Sequence, residues 1–158
     1  MELFKKYIPH ISLGVGVLVV LTLFIESVTV KVGALPIVSF MGLNAAFGSS
    51  GDYSFGANYA LILAYVLPLV AGLLHFFTQK LSHAKIYQYA SVILFVLAAV
   101  LFFAAPVLFE SITGLVTTNS VQYPASGYTT NYGFGSILSG VFVTLAAIAS
   151  VYSTFIVE

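Results

Sequence analysis

The chain has 158 residues, of which 60% are hydrophobic and 6% charged, with mean hydropathy +1.08; a soluble domain carries roughly a quarter charged residues, so this is the composition of an integral membrane protein. Five lysines, no arginine and five acidic residues sum to zero formal charge, which leaves no basic surface for a phosphate backbone and excludes nucleic acid as a partner. Cysteine is absent, which excludes disulfides, thiolate metal sites and cysteine nucleophiles.

Taken in chain order, apolar runs cover about 8–25, 59–77, 86–109 and 135–157, each near the roughly 20 residues that cross about 30 Å of hydrocarbon as a helix. Four transmembrane helices are expected, in a single four-span domain. The first follows Lys5 and Lys6 and carries Ser12 and Gly16 on one face. A cleaved signal peptide is the alternative reading of this start, but no small-x-small site follows Ile25. The connection 27–58 opens with Val28-Thr-Val-Lys-Val32, which alternates with the period of a strand, and continues through the mostly apolar stretch 34–47. The second span sets Ala60, Ala64, Pro68 and Gly72 four apart, a small-residue stripe suited to close helix packing. The polar turn 78–85 is short enough to make the second and third spans an antiparallel hairpin. After the third span, the connection 111–134 holds the β-prone run 116–123 and then the turn formers Pro124 and Gly127. Ser136, Gly140, Thr144 and Ala147 form a second stripe on the fourth span.

Lys5, Lys6, Lys80 and Lys85, with His83, lie at the N-terminus and in the short turn, whereas only Lys31 lies in a long connection. By the positive-inside rule both termini are cytoplasmic and the long connections extracytoplasmic. The expected fold is an all-α membrane protein, a four-helix transmembrane bundle with a small extracytoplasmic β-cap built from both loops. Glu26-Ser-Val-Thr returns as Glu110-Ser-Ile-Thr, and Tyr53-Ser-Phe-Gly is echoed by Tyr132-Gly-Phe-Gly. These echoes predict a parallel tandem repeat with Glu26 and Glu110 at one depth. Shared demands at the membrane surface are the alternative source of both.

Few residues carry chemistry. Glu26 and Glu110 are the candidate cation ligands, hard oxygens within about 6 Å if the repeat holds; the bland reading makes each a solvated helix end. His10 and His75 fall inside apolar runs near the cytoplasmic end and are the candidate haem ligands, weighed against interfacial histidines with wet tips. No nucleophile elbow, zinc-protease pair or phosphate loop is present, so no enzyme, no cofactor and no metal are expected. Tyr123 and Tyr128 flank a turn in a mixture of Ser, Thr and Gly that suits contact with a partner, while Tyr59 and Tyr132 suit an aromatic girdle.

The N-terminal Lys pair, the four spans and Phe40-Met-Gly-Leu-Asn-Ala-Ala-Phe-Gly48 in the first outer loop resemble the small four-span membrane proteins of low-GC Gram-positive bacteria. The layout is also similar to claudin-type tetraspan junction proteins, whose outer loops form a small sheet, although the tryptophan-containing signature and paired cysteines of that family are missing. The function expected is that of a non-enzymatic structural or accessory protein of the cell membrane. It would associate as a homo-oligomer or a subunit of a larger complex through Phe40, Met41, Phe47, Tyr123 and Tyr128 and through its small-residue helix faces. The alternative is a small ion channel or transporter with Glu26 and Glu110 at its outer mouth.

Overall fold

The computed structural model describes residues 2–35, 37–50, 52–78, 84–118 and 120–156; Lys80, His83 and residue 157 lie outside them. Helix α1 (Glu2–Leu21) runs into a tight turn, Thr22–Phe24, followed by strands β1 (Glu26–Val32) and β2 (Val38–Met41), short helix α2 (Gly42–Phe47) and strand β3 (Tyr53–Ser54). Helices α3 (Tyr59–Phe77) and α4 (Ala84–Phe103) come next, then α5 (Ala105–Leu108) and a wide π turn, Phe109–Thr113. Strands β4 (Leu115–Thr118), β5 (Val121–Pro124) and β6 (Tyr128–Tyr132) precede helix α6 (Phe134–Val151), which ends in a second π turn, Tyr152–Ile156. The chain is mostly helical, and the segments 7–24, 59–77, 84–103 and 134–155 are long and apolar enough to cross a membrane. They match the four expected spans to within a few residues at most ends; the third stops six residues early.

The long helices close a ring, α1 on α3, α3 on α4, α4 on α6 and α6 on α1. Close approach of α1 and α3 is reciprocal. A Cβ on Gly16 would stand 2.7 Å from the Pro68 carbonyl oxygen, and one on Gly72 would stand 2.6 Å from that of Ser12, so the two backbones touch where only glycine fits. Ala64 is buried and Ala60 half-buried on the same face. On α6, Ser136 and Gly140 are buried, a Cβ on Gly140 would stand 3.2 Å from the ring of Phe103, and half-buried Thr144 returns its hydroxyl to the Gly140 carbonyl at 2.7 Å. The stripes are therefore packed within the chain at Gly72, Ser136 and Gly140, while Thr144 and Ala147 line a groove between α4 and α6.

Among the described residues all strand pairs are antiparallel, in two three-stranded sheets ordered β2-β1-β6 and β3-β4-β5. Each half of the chain supplies a helix, a hairpin, a lone strand and a second helix. The lone strand does not join its own hairpin: β6 pairs with β1, Val28 opposite Tyr132 and Val32 opposite Tyr128, while β3 pairs with β4. Val28, Val30 and Val32 alternate inward as the sequence pattern requires, and Lys31 points out. Phe40 and Tyr128, expected at a partner surface, are instead buried core residues. Phe40 sits between the sheets, with ring centroids 4.9 Å from Phe55, 5.9 Å from Tyr53 and 6.5 Å from Phe109. Aromatic burial of this size outweighs any single exposed contact, which is why these rings turn inward. Met41 and Phe47 are exposed and Tyr123 is half-buried.

The repeated phrase takes two conformations. Glu26-Ser-Val-Thr opens β1, whereas Glu110-Ser-Ile-Thr is wound into the π turn. The second copy rides farther out because α4 is continued by α5, with Pro106 in its first turn where a missing N–H costs nothing. Glu110 bonds to Thr130, while Glu26 lies two residues beyond the Val28–Tyr132 pair in the opposite direction. Four residues of β1 separate Glu26 from Val30, the partner of Thr130, about 13 Å along the strand at 3.3 Å per residue. The two carboxylates thus meet the sheet at different places, Glu110 beside the Val30–Thr130 pair and Glu26 at the start of β1.

The close approach of α1 and α3 predicts that Gly72→Ala lowers stability by about 1–3 kcal/mol, the usual cost of overpacking. Gly14→Ala, where a Cβ meets nothing within 4 Å, should be neutral or slightly stabilising. Thermal unfolding in detergent checks the pair; equal melting temperatures would remove the backbone contact from the account.

Candidate functional site

Buried polar side chains gather at the two ends of the ring. At the end that carries the sheets, the Tyr65 hydroxyl donates to Ser27 Oγ at 3.0 Å, and Ser27 and Ser136 exchange a hydroxyl contact at 2.6 Å. Ser136 Oγ also lies 2.7 Å from the Ser27 carbonyl oxygen, to which it donates. With the Ser136 proton committed there, the order of donation is fixed: Tyr65 to Ser27, Ser27 to Ser136, Ser136 to the Ser27 backbone. Thr22 donates to the Val19 carbonyl at 2.6 Å and therefore accepts from Ser139 Oγ at 2.5 Å. Five hydroxyls from the turn after α1, from β1, α3 and α6 are thus satisfied by one another and by backbone carbonyls in a buried setting where an unmade bond costs about 1–3 kcal/mol.

At the opposite end, His75 of α3 is buried and its Nδ1 lies 3.1 Å from Ser12 Oγ of α1 and 3.2 Å from Ser150 Oγ of α6. The Nε2–H tautomer leaves Nδ1 a lone pair that both hydroxyls address; the Nδ1–H tautomer donates to one of them. His10 does not share this site. It is exposed and packs edge-on against Phe76, centroids 5.1 Å apart. One imidazole faces into the ring and the other faces out, so the pair cannot clamp a haem between them. Along the buried face of α6, Val143, Ala146 and Ala147 separate Ser139 from Ser150, and the two polar clusters are joined by apolar packing rather than by a chain of hydroxyls.

The glutamates are also apart. Glu110 Oε1 accepts from the backbone N–H of Thr130 at 2.9 Å and from its hydroxyl at 2.7 Å, so the carboxylate covers the outer edge of β6. Glu26 is exposed. Among the described residues no three His, Asp or Glu side chains come together as a metal site, and the two carboxylates, at different places on the sheet, do not make the expected cation pair. Beside Glu110, burial pushes the Tyr128 hydroxyl up from its ordinary pKa and the negative carboxylate adds to the shift. Asn58, the N-cap of α3, accepts from Leu61 N at 3.1 Å and donates to the Leu108 carbonyl at 2.9 Å and to Thr113 at 3.3 Å.

Sequence reasoning missed Ser27, Tyr65, Ser139 and Asn58. A signal for one of them was present. Ser27 and Thr113 lie inside the two copies of the repeated phrase, and each reaches across to the outer start of the other half's second long helix, at Ser136 and Asn58. No family model and no curated protein matches the chain, so its chemistry is read from this geometry alone.

The hydroxyl chain predicts coupling across the halves. Ser27→Ala and Ser136→Ala should each destabilise by about 1–3 kcal/mol, and the double variant should fall short of their sum by about 1 kcal/mol, as partners in one network do. Additive losses in a double-mutant cycle would show that the contact carries no energy of its own.

Proposed function

We propose that this is a non-enzymatic, multi-pass protein of the cell membrane that associates, through an extracytoplasmic cap, with further copies of itself or with a larger membrane complex. The four long helices form its transmembrane bundle, both termini are cytoplasmic, and the two sheets make the cap. The Lys5, Lys6, Lys80 and Lys85 asymmetry supports this orientation. The exchange of β3 and β6 between matching halves supports a parallel tandem repeat.

One observation carries the associating role. Terminal strand β2, Val-Ser-Phe-Met, contains neither charge nor proline, whereas proteins that stay apart blunt such edges with charge or proline, as Pro124 does at the end of β5, Val-Gln-Tyr-Pro. Apolar Ile37, just before β2, and Val121, the first residue of β5, stand exposed. The terminal strand β6, by contrast, is covered by Glu110. Sheets that carry Glu110 on the β6 edge and Pro124 on the β5 edge and leave β2 without either fit a surface that receives a strand or a hydrophobic partner there.

Orientation is tested by single cysteines in this cysteine-free chain. Ser50→Cys and Ser126→Cys in intact cells should react with a membrane-impermeant thiol reagent, and protection of both would invert the topology. Association is tested by a photo-crosslinking residue at Ile37 or Val121 in native membranes. Adducts with a second chain are expected at both positions; the absence of any protein adduct would end the associating role.

A further inference from the structure

The apolar stretch 37–50 holds no charged residue, and short helix α2 lies in its middle. Both ends of α2 are pinned. The Gly42 N–H donates to the Ile25 carbonyl, just past the last turn of the first long helix, at 3.0 Å, and the Ala46 carbonyl accepts from the N–H of Asn58, the cap of α3, at 2.7 Å. The helix therefore bridges the outer ends of two neighbouring spans, and its axis lies in the plane where they end. Gly48 stops it there: its φ of +94° suits only glycine, and a Cβ would stand 2.8 Å from the Phe55 carbonyl.

Its two faces differ sharply. Gly42, Ala45 and Ala46 are buried against the protein. Leu43 and Phe47, one helical turn apart, are 40% and 56% exposed, and beside them Phe24, on the turn that α2 packs against, is 64% exposed. Tyr59 and Phe134, the first residues of α3 and α6, are exposed at the corresponding ends of their own helices. Aromatic side chains gather at the boundary between headgroups and acyl chains, and amphipathic helices in that plane bury their apolar face about 5–10 Å into it.

We infer that α2 is an interfacial helix, lying in the outer leaflet with Leu43, Phe47 and Phe24 among the upper acyl chains, so that its occupant is lipid and not a protein. The inference rests on the reading that α1 and α3 span a membrane. It reassigns Phe47 from the partner surface expected in the sequence to the bilayer, and it leaves the cap edges at Ile37 and Val121 as the surface for association. Depth is what such a helix supplies: a shelf tied to two spans resists their sliding along the membrane normal.

The chain has no tryptophan, which makes single-tryptophan fluorescence a direct test in liposomes. Phe47→Trp replaces one exposed aromatic by another; Ile93→Trp, at an exposed position midway along α4, reports on the span itself. Phe47→Trp should lose most of its emission to phospholipids brominated near the headgroup and little to aqueous iodide, while Ile93→Trp should be quenched by lipids brominated toward the chain ends. Quenching of Phe47→Trp by iodide and not by lipid would put α2 in water, and protection from both quenchers would put it under protein; either result overturns the inference while the Ile93 signal keeps the span. If Ile93→Trp is reached by iodide and by no brominated lipid, the spanning reading fails and the interfacial helix falls with it.

Discussion

Neither half of this chain can finish its own sheet. The hairpin of β1 and β2 needs β6, and that of β4 and β5 needs β3, so each lone strand is held by a partner half a chain away. Much else at this end of the molecule follows from that exchange. β6 brings Gly133 and Ser136 against the start of β1, where the Gly133 N–H donates to the Ser27 carbonyl at 2.9 Å. It also carries Thr130 to Glu110 and Tyr132 to the Phe103 carbonyl, which ties α6 to α4. The aromatic contact of Phe40 with Phe55 and Phe109 then closes the gap between the sheets.

Below the sheets, two kinds of contact hold the helices. Where α1 meets α3 the glycines let backbones touch, and dispersion across that contact replaces the hydrophobic drive that lipid withholds. Where α1, α3 and α6 meet, hydroxyls and one imidazole supply directional bonds, with polar groups at the two ends and apolar packing between. The α4–α6 pair is looser. The ring of Phe103 stands between Gly140 and a direct backbone approach, and a groove of about 660 Å³ lined by Val96, Val100, Phe103 and Ile148 opens on that side.

The long helices were legible because hydropathy and length act residue by residue, and the small-residue stripes were legible because helical spacing is periodic. The alternation in 28–32 showed β1 for the same reason. Other features were not local. Phe40 lies in the run Ile37-Val-Ser-Phe-Met, where Ile37 and Met41 are apolar on the outward side as Val38 and Phe40 are on the inward one, so the pattern could not say which side faced the core. Tyr128 looks like a recognition residue until β6 is known to pair with β1. The letters shared by 26–29 and 110–113 suggested equal depth, yet helix α5 and the π turn, which Pro106 starts rather than stops, displace the second copy. Polar partners such as Ser27 with Ser136 are separated by 109 positions, a distance over which no periodicity speaks.

The strand exchange also sets a clock on biosynthesis. Lys31 of β1 finds Thr129 of β6 only after about 100 further residues have been made, which at about 5–20 residues per second takes about 5–20 seconds. During that interval the nascent hairpin holds an unpaired inner edge and the unfilled valines that line it, the state most open to pairing with the wrong chain. A neighbouring nascent copy could donate its own last strand in that window, so the same exchange that joins two halves of one chain can join halves of two.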